Sequence, residues 1–262
     1  MCEEQAKAGL NLLLGLRTHE AWRSRAVSIY EDLKELASGS HATPALRETQ
    51  ARAGNGLLTS LGEVEALWSR AVSVYEEIKG LASSPLTTSA TLLEVHADAG
   101  ANLCSDLSKV EAWRQRAVSI YEDLKDLALG HFSLTTLLER QARSGFNLIR
   151  GLGKDEAWRS RALSTYEDLK GMSSYLPVIR EWQAKAAGAI IWRLCQDTAL
   201  TEERLGQVYH AYVDLRGHRD VLSADLYREL LNLVTTVFRS VWPPTILAPK
   251  RSRRISCGTP LP

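Results

Sequence analysis

Cysteine and histidine are the residues of this 262-residue chain that could most directly bind a metal ion or act as nucleophiles. The cysteines stand far apart and form no C-x-x-C pair, at Cys2, Cys104, Cys195 and Cys257. A zinc site needs thiolates or imidazoles at close spacing so that four ligands can converge. His210 and His218 are about two helical turns apart, too far for chelation by two histidines. We therefore expect no metal site, and we expect Cys104 and Cys195 to be buried thiols.

A second pattern that could do chemistry is a carboxylate followed three residues later by a lysine. Its members are Glu31 with Lys34, Glu76 with Lys79, Glu122 with Lys125, and Glu167 with Lys170. Residues three apart lie on one side of a helix, where opposite charges stabilise it by about 0.2–0.5 kcal/mol. We interpret them as solvated pairs within one helix rather than as the paired carboxylates of an active site. No P-loop, G-x-S-x-G or dinucleotide-binding glycine motif occurs, so we expect neither an enzyme nor a cofactor.

A third recurring set contains cationic and amide side chains. Between paired small residues, the chain carries Lys7, Arg52, Asp98, Arg143 and Lys185, and four residues further on it carries Asn11, Gly56, Asn102, Asn147 and Ala189. Positions four apart share a helical face. A row of cations and amides suits carboxylates, which accept several charge-assisted hydrogen bonds. We predict a peptide-binding row for acidic or carboxylate-ended segments, made of Lys7, Asn11, Arg52, Asn102, Arg143, Asn147 and Lys185; a solvated surface is the alternative.

An internal repeat positions the recurring charged and amide residues of the last two patterns. The segment Glu20-Ala-Trp-Arg-Ser-Arg-Ala-Val-Ser-Ile-Tyr-Glu-Asp-Leu-Lys34 recurs in versions that begin at Glu65, Glu111 and Glu156. Its tyrosines follow one another every 45 or 46 residues, at Tyr30, Tyr75, Tyr121 and Tyr166, and a degenerate fifth copy surrounds Tyr212. A small-residue motif, such as Ala51-Arg-Ala-Gly54, falls between these copies. The repeating unit therefore has two elements, helix A with the small residues and helix B with the tyrosine.

Helical periodicity is present in both elements. Apolar residues of the first helix B recur every three or four positions, at Trp22, Ala26, Ile29, Leu33 and Leu36. The glycines of helix A cost helix propensity, and we expect them to admit a neighbouring helix closely. Thr43 before Pro44 predicts a helix start, and Ser108-Lys-Val-Glu111 predicts a capping box. No alternating strand pattern of useful length occurs, so we predict an all-α fold.

Two helices cannot bury an apolar stripe alone, so the units must stack. We predict an α-solenoid, a right-handed superhelix of about five antiparallel helix pairs plus a C-terminal covering helix. The array spans 1–242, with units at about 3–40, 41–85, 86–131, 132–175 and 176–218 and a final helix at 221–242. We expect a disordered basic tail at 243–262. The predicted core includes one large aromatic residue per unit, at Trp22, Trp68, Trp113 and Trp158.

The pattern resembles the tetratricopeptide repeat (TPR) family in a long bacterial-type form of about 45 residues. The resemblance rests on Ala8-Gly9, Ala53-Gly54, Ala99-Gly100 and Ser144-Gly145, and on Ala26, Ala71, Ala117 and Ala162, each four residues before its tyrosine. It covers about residues 3 to 216, but each unit is about 11 residues longer than usual and lacks the proline that ends helix B. HEAT-like and other helical-pair repeats remain open.

The resemblance implies a scaffold that binds peptides or proteins along a concave surface lined by A helices. Some TPR domains hold a terminal carboxylate with a lysine and asparagine set, to which Lys7-x-x-x-Asn11 and Arg143-x-x-x-Asn147 are similar. We therefore expect a non-catalytic scaffold for a protein or peptide partner. The alternative is a sensor or regulatory region of a longer protein whose output is carried elsewhere.

The charge balance and hydropathy of the sequence argue against two classes of partner, nucleic acid and membranes. The 32 basic residues nearly balance 31 acidic ones, which argues against nucleic acid as a partner. No apolar run approaches the ~20 residues of a membrane helix, and the first residues show no signal peptide, so we expect a cytoplasmic protein and no membrane. No polar cap precedes the first unit, which predicts self-association through its open face or a longer parent array.

Overall fold

The computed structural model describes residues 2–16, 20–39, 42–84, 89–131, 134–152, 156–172, 175–195 and 201–241. Over these ranges the chain forms helices without any strand, which confirms the predicted all-α fold. The α-helices are α1 (Cys2–Leu16), α2 (Arg23–Ser38), α3 (Pro44–Leu61), α4 (Trp68–Ala82), α5 (Ala90–Leu107), α6 (Glu111–Gly130), α7 (Thr135–Gly151), α8 (Glu156–Lys170), α9 (Pro177–Leu194), α10 (Glu202–Gly217) and α11 (Ala224–Val241). Short 3-10 helices precede α2, α4 and α11 at Glu20–Trp22, Glu65–Leu67 and Arg219–Val221.

The helices stack as pairs in chain order. Helices α1, α3, α5, α7 and α9 are the A helices, and each packs against the next A helix. The B helices α2, α4, α6 and α8 each pack against the A helix of their own unit and that of the following unit, and the fifth B helix, α10, packs against α9. Helix α11, which corresponds to the predicted final helix, continues the row of A helices by packing against α9. The right-handed superhelix itself stays a prediction.

One of the two predicted helix starts is confirmed. Thr43 caps α3, because its Oγ1 accepts a hydrogen bond from the Leu46 amide at 3.2 Å, and Pro44 is the first helical residue. The capping box at Ser108 is wrong: α6 begins at Glu111, and its N-cap is Val110. The connection from α5 is so short that Ser108 still belongs to the end of α5, where its Oγ donates to the Ser105 carbonyl oxygen at 3.1 Å.

The repeated glycine of helix A lies against the tyrosine of the preceding helix B at two of the junctions between units. Tyr30, Tyr75 and Tyr121 are fully buried. A Cβ added at Gly54 would lie 3.1 Å from the Tyr30 ring, and one at Gly145 would lie 3.0 Å from the Tyr121 ring. The small residues of helix A therefore admit the preceding tyrosine, which confirms the packing role predicted for them.

The predicted burial of the tryptophans is confirmed only for Trp68, which is 5% exposed. Trp113 and Trp158 are half-buried, and Trp22 is 52% exposed. Trp68 lies seven residues before its tyrosine, whereas the other three lie eight residues before theirs. One residue rotates a side chain by about 100° around the helix. This one-residue shift directs the Trp68 side chain toward the interior of the stack, where its Nε1 donates to the Gly62 carbonyl oxygen at 2.9 Å.

The prediction that the Glu and Lys residues of helix B pair within one helix is wrong for three of the four pairs. Of these four described pairs, only Glu167 and Lys170 form an ion pair with each other, at 3.5 Å. The others pair across the stack: Glu31, Glu76 and Glu122 bind Arg70, Arg116 and Arg161, while Lys34, Lys79 and Lys125 bind Glu77, Asp123 and Asp168 at 2.7–2.8 Å. Stacking brings the next B helix within reach, so these ion pairs form an inter-unit ladder.

The thiols and the hydropathy of the helices complete the fold. Cys104 is fully buried as predicted, whereas Cys195 is half-buried, and burial raises the pKa of both thiols to about 12. In the described part of the chain, no group of three or more metal-ligating side chains could hold a metal ion. None of the helices described here is long and apolar enough to span a membrane. Cys257 and the tail at 243–262 lie outside the described residues.

Candidate ligand-binding surface on the A helices

Each of the five A helices carries at least one residue of the predicted peptide-binding row. Lys7, Asn11 and Arg52 are exposed on α1 and α3. The other four members are half-buried on α5, α7 and α9, at Asn102, Arg143, Asn147 and Lys185. The structure therefore divides the row into an open N-terminal half and a more enclosed C-terminal half.

The N-terminal half of the row is not assembled into a site. Lys7 donates to Glu4 at 2.8 Å, and this hydrogen bond raises the lysine pKa. Arg52 has no ion-pair partner among the described residues, and Gly56 replaces the asparagine four residues further on. In the third unit Asp98 interrupts the row and pairs with Arg140 of α7. These residues do not converge on one ligand.

The C-terminal half begins with a contact between α5 and α7. Arg143 donates from Nη2 to Oδ1 of Asn102 at 3.2 Å. This hydrogen bond uses the carbonyl oxygen of Asn102 and leaves its amide nitrogen as a donor. Two predicted residues are therefore brought together, and both remain donors toward an anion.

A cavity of about 640 Å³ lies between α7, α9 and α11, and two predicted residues, Asn147 and Lys185, line it. Three aromatic side chains and two further cations complete most of the wall: Phe146, Trp182, Trp192, Arg150 and Arg193. From α11 come two leucines and Glu229, the one carboxylate among the described lining residues. Its size is within the ordinary range for ligand pockets.

The cations of this cavity lie against its aromatic rings. The Phe146 and Trp182 rings are 5.5 Å apart and inclined at 43°. The Lys185 Nζ lies 4.2 Å from the centre of the Trp182 ring and 2.6 Å from Oε1 of Glu181. The Arg150 guanidinium lies 5.6 Å from the centre of the Phe146 ring. Rings and flanking cations together present an apolar floor with positive edges.

Like charges are concentrated beside the cavity. Arg193 donates to the backbone carbonyl of Arg150. Burial lowers the pKa of Arg193, and the nearby positive charges of Arg114 and Arg150 lower it further. Because the fold holds these guanidinium groups together, a bound anion would relieve their mutual repulsion. The arrangement can bind a negatively charged group next to an apolar one.

The predicted row contains two lining residues of the cavity and lacks its other cationic and aromatic ones: Phe146, Arg150, Trp182, Trp192 and Arg193. The tryptophans carried a usable signal, since Trp182 and Trp192 lie in a helix A whereas Trp22, Trp68, Trp113 and Trp158 lie at the start of a helix B. Their departure from the repeat distinguishes them from residues that serve the stack. The arginines gave no such signal, because cations occur throughout the chain.

Comparisons with known proteins establish similarity of fold only. No family model matches the chain, and no curated protein matches it. A crystal structure of an engineered protein from the Northeast Structural Genomics Consortium is similar, with a TM-score of 0.57 and 16% identity. The match covers 92% of this chain and 93% of the engineered one. At this identity the likeness extends to the fold and not to function.

Proposed function

We propose that the protein is a non-catalytic scaffold that binds a protein or peptide partner through an acidic or carboxylate-ended segment along its A helices. The cavity between α7, α9 and α11 carries the proposal, because Asn147 and Lys185 of the predicted row meet aromatic rings and further cations there. The repeat motifs support a place among TPR-like helical repeats. Cys2, Cys104 and Cys195 are free thiols, which suits a reducing compartment such as the cytoplasm.

The chemistry of the cavity fits a carboxylate flanked by an apolar side chain. Asn147, Arg150 and Lys185 are donors, and a carboxylate accepts charge-assisted hydrogen bonds from several donors at once. Trp182 and Phe146 offer ring faces to the neighbouring apolar side chain. Aromatic residues and arginine are also the types that are enriched in protein interfaces. The exposed Trp192 extends this surface toward solvent.

The proposal is tested with short peptides that end in an apolar residue, each made with a free carboxyl end and with an amidated end. Binding to the whole chain is measured by fluorescence anisotropy. We expect the free carboxyl form to bind at least tenfold more tightly, since one well-placed charged hydrogen bond contributes about 1.5–3 kcal/mol. Equal affinity for the two forms contradicts a carboxylate site.

Matched variants locate the site. Arg150→Glu combined with Lys185→Glu should abolish the preference for the free carboxyl end, because both cations line the cavity. Arg52→Glu combined with Arg143→Glu tests the wider predicted row. Arg216→Glu, at an exposed position of helix B α10, is the control and should bind as the parent does. Unchanged affinity in both double variants contradicts binding along the A helices.

A further inference from the structure

Two small or apolar residues of the first unit are exposed, although their equivalents are buried in the next three units. Leu12 of α1 is 51% exposed, whereas its equivalents Leu57, Leu103 and Leu148 are at most 1% exposed. Ala8 is exposed as well, while Ala53, Ala99 and Ser144 at the same position are fully buried. We call the surface formed by Ala8, Leu12, Gly15, Arg25 and Asp32 the leading face.

The surroundings of the glycines show that the equivalent surface of later units packs against a neighbouring helix. A Cβ at Gly151 of α7 would collide with Ser108 at the end of α5, in the preceding unit. A Cβ at Gly56 of α3 would lie 2.7 Å from Leu14 of α1. A Cβ at Gly15, the equivalent of Gly151, would meet nothing within 4 Å. Among the described residues no helix packs on the leading face, although its equivalents in later units contact a neighbouring helix.

The leading face also carries two charged residues at positions that form inter-unit ion pairs in the later units. Arg25 stands where Arg70, Arg116 and Arg161 bind glutamates of the preceding unit. Asp32 stands where Glu77, Asp123 and Asp168 bind lysines of the preceding unit. Both Arg25 and Asp32 are exposed, and neither has an ion-pair partner among the described residues. A surface complementary to the leading face would carry an anion opposite Arg25 and a cation opposite Asp32.

These two charges are complementary to each other under a two-fold rotation. Arg25 and Asp32 are seven residues, about 10 Å, apart along one side of α2. If two α2 helices pack antiparallel, Arg25 of each copy lies opposite Asp32 of the other. The two-fold axis then passes near the level of Ile29 on α2. Gly9 of α1 lies at the same level, because a Cβ added at Gly9 would be 3.7 Å from the Ile29 side chain. Leu12, one turn further along α1, is thus placed near the axis, where it meets Leu12 of the second copy.

We propose that the leading face binds a second copy of this chain and forms a symmetric dimer. The contact has an apolar centre at Leu12 and Ala8 and a charged rim at Arg25 and Asp32, which is the usual anatomy of an interface. A two-fold contact uses the same patch on both copies and closes on itself.

Head-to-tail association is disfavoured by the other end of the stack. There α11 already occupies the place beside α9 that α1 of another copy would need. In addition, the exposed Val213 of α10 stands at the position of Glu31, Glu76 and Glu122, so Arg25 would meet no carboxylate. The symmetric arrangement satisfies both charges, whereas the head-to-tail arrangement leaves Arg25 without an anion.

Sedimentation equilibrium of the whole chain over a concentration series tests the dimer. Each charge reversal, Arg25→Glu or Asp32→Lys, changes two attractive contacts per dimer into repulsive ones. We expect each single variant to raise the dimer Kd at least tenfold, because two rim contacts change together. The double variant Arg25→Glu with Asp32→Lys should restore a Kd near that of the parent, because the charges are again complementary.

Both positions are exposed, so the variants should fold, and circular dichroism checks this. Arg216→Glu, an exposed reversal on α10, is the control and should leave the Kd unchanged. A parent chain that stays monomeric throughout the series overturns the proposal, as does a double variant that is no better than the single ones. Peptide binding at the cavity is measured separately, so either proposal can fail alone.

Discussion

His96 should make the stability of this fold sensitive to mild acid. It stands on α5 at the position where α3, α7 and α9 carry Gln50, Gln141 and Gln183. The imidazole is 4% exposed, and its Nε2 lies 3.1 Å from the Tyr75 hydroxyl, which donates to Asp123 at 3.4 Å. Burial lowers the pKa of His96 to about 4, and Lys79 lowers it too, while Asp123 acts in the opposite direction. The folded protein therefore holds a neutral imidazole.

The sign and size of the effect follow from the two pKa values. In the unfolded chain His96 titrates near its ordinary value of 6.5, so the unfolded state takes up a proton first as the pH falls. The free energy of unfolding is unaffected at pH 7 and decreases between about pH 6.5 and pH 4. At about 1.4 kcal/mol per pKa unit, the loss reaches about 3 kcal/mol near pH 4.

Urea unfolding of the parent and of His96→Gln at pH 7 and pH 4 measures this loss. Glutamine occupies the equivalent position in three other units, so the variant should fold. We expect the variant to lose about 3 kcal/mol less than the parent on acidification. The matched variant Gln141→His should add a similar sensitivity, since Gln141 is buried next to Tyr121. Parallel losses in parent and His96→Gln would refute the reasoning.

Further predictions concern the stack. Gly100→Ala should destabilise the fold by about 1–3 kcal/mol, because the new Cβ would lie 2.9 Å from Leu124; Gly80→Ala, with open space around it, should instead stabilise α4 by up to about 1 kcal/mol. Thermal or urea unfolding compares the two, and equal effects would contradict the close approach described. Trp68→Ala should cost about 3–5 kcal/mol, whereas the exposed Trp22→Ala should cost under about 1 kcal/mol. Similar losses at both positions would show that the register shift of Trp68 does not determine burial.

The periodicity of the sequence predicts where the helices lie, but it does not predict which residues of different helices are in contact. The apolar spacing of Trp22, Ala26 and Ile29 identifies a helix, and Thr43 with Pro44 marks a start that the structure confirms. A repeat shows which residues share one helix face, but not which neighbouring helix that face meets. For this reason the sequence predicts that Glu31 and Lys34 pair with each other, whereas in the structure they bind Arg70 and Glu77 of the next unit.

The spacing of residues in the sequence predicts only part of the candidate site. Asn147 and Lys185 belong to the repeating row and were found by their spacing, and both line the cavity. The cavity also requires α11 to pack beside α9, and that placement depends on tertiary contacts such as Leu230 against Gly188. Its departure from the repeat distinguishes Trp192 in the sequence, but its place in the cavity wall depends on this position of α11.

The cavity between α7, α9 and α11 is the proposed binding site for a carboxylate-ended segment. Its most direct test is to follow the indole N–H signals by nuclear magnetic resonance during titration with a peptide that ends in a free carboxyl group. We predict that the signals of Trp182 and Trp192 shift together and saturate, while that of the exposed Trp22 stays in place. Saturable shifts at Trp22 alone, or unchanged signals from Trp182 and Trp192 with bound peptide, would contradict the account.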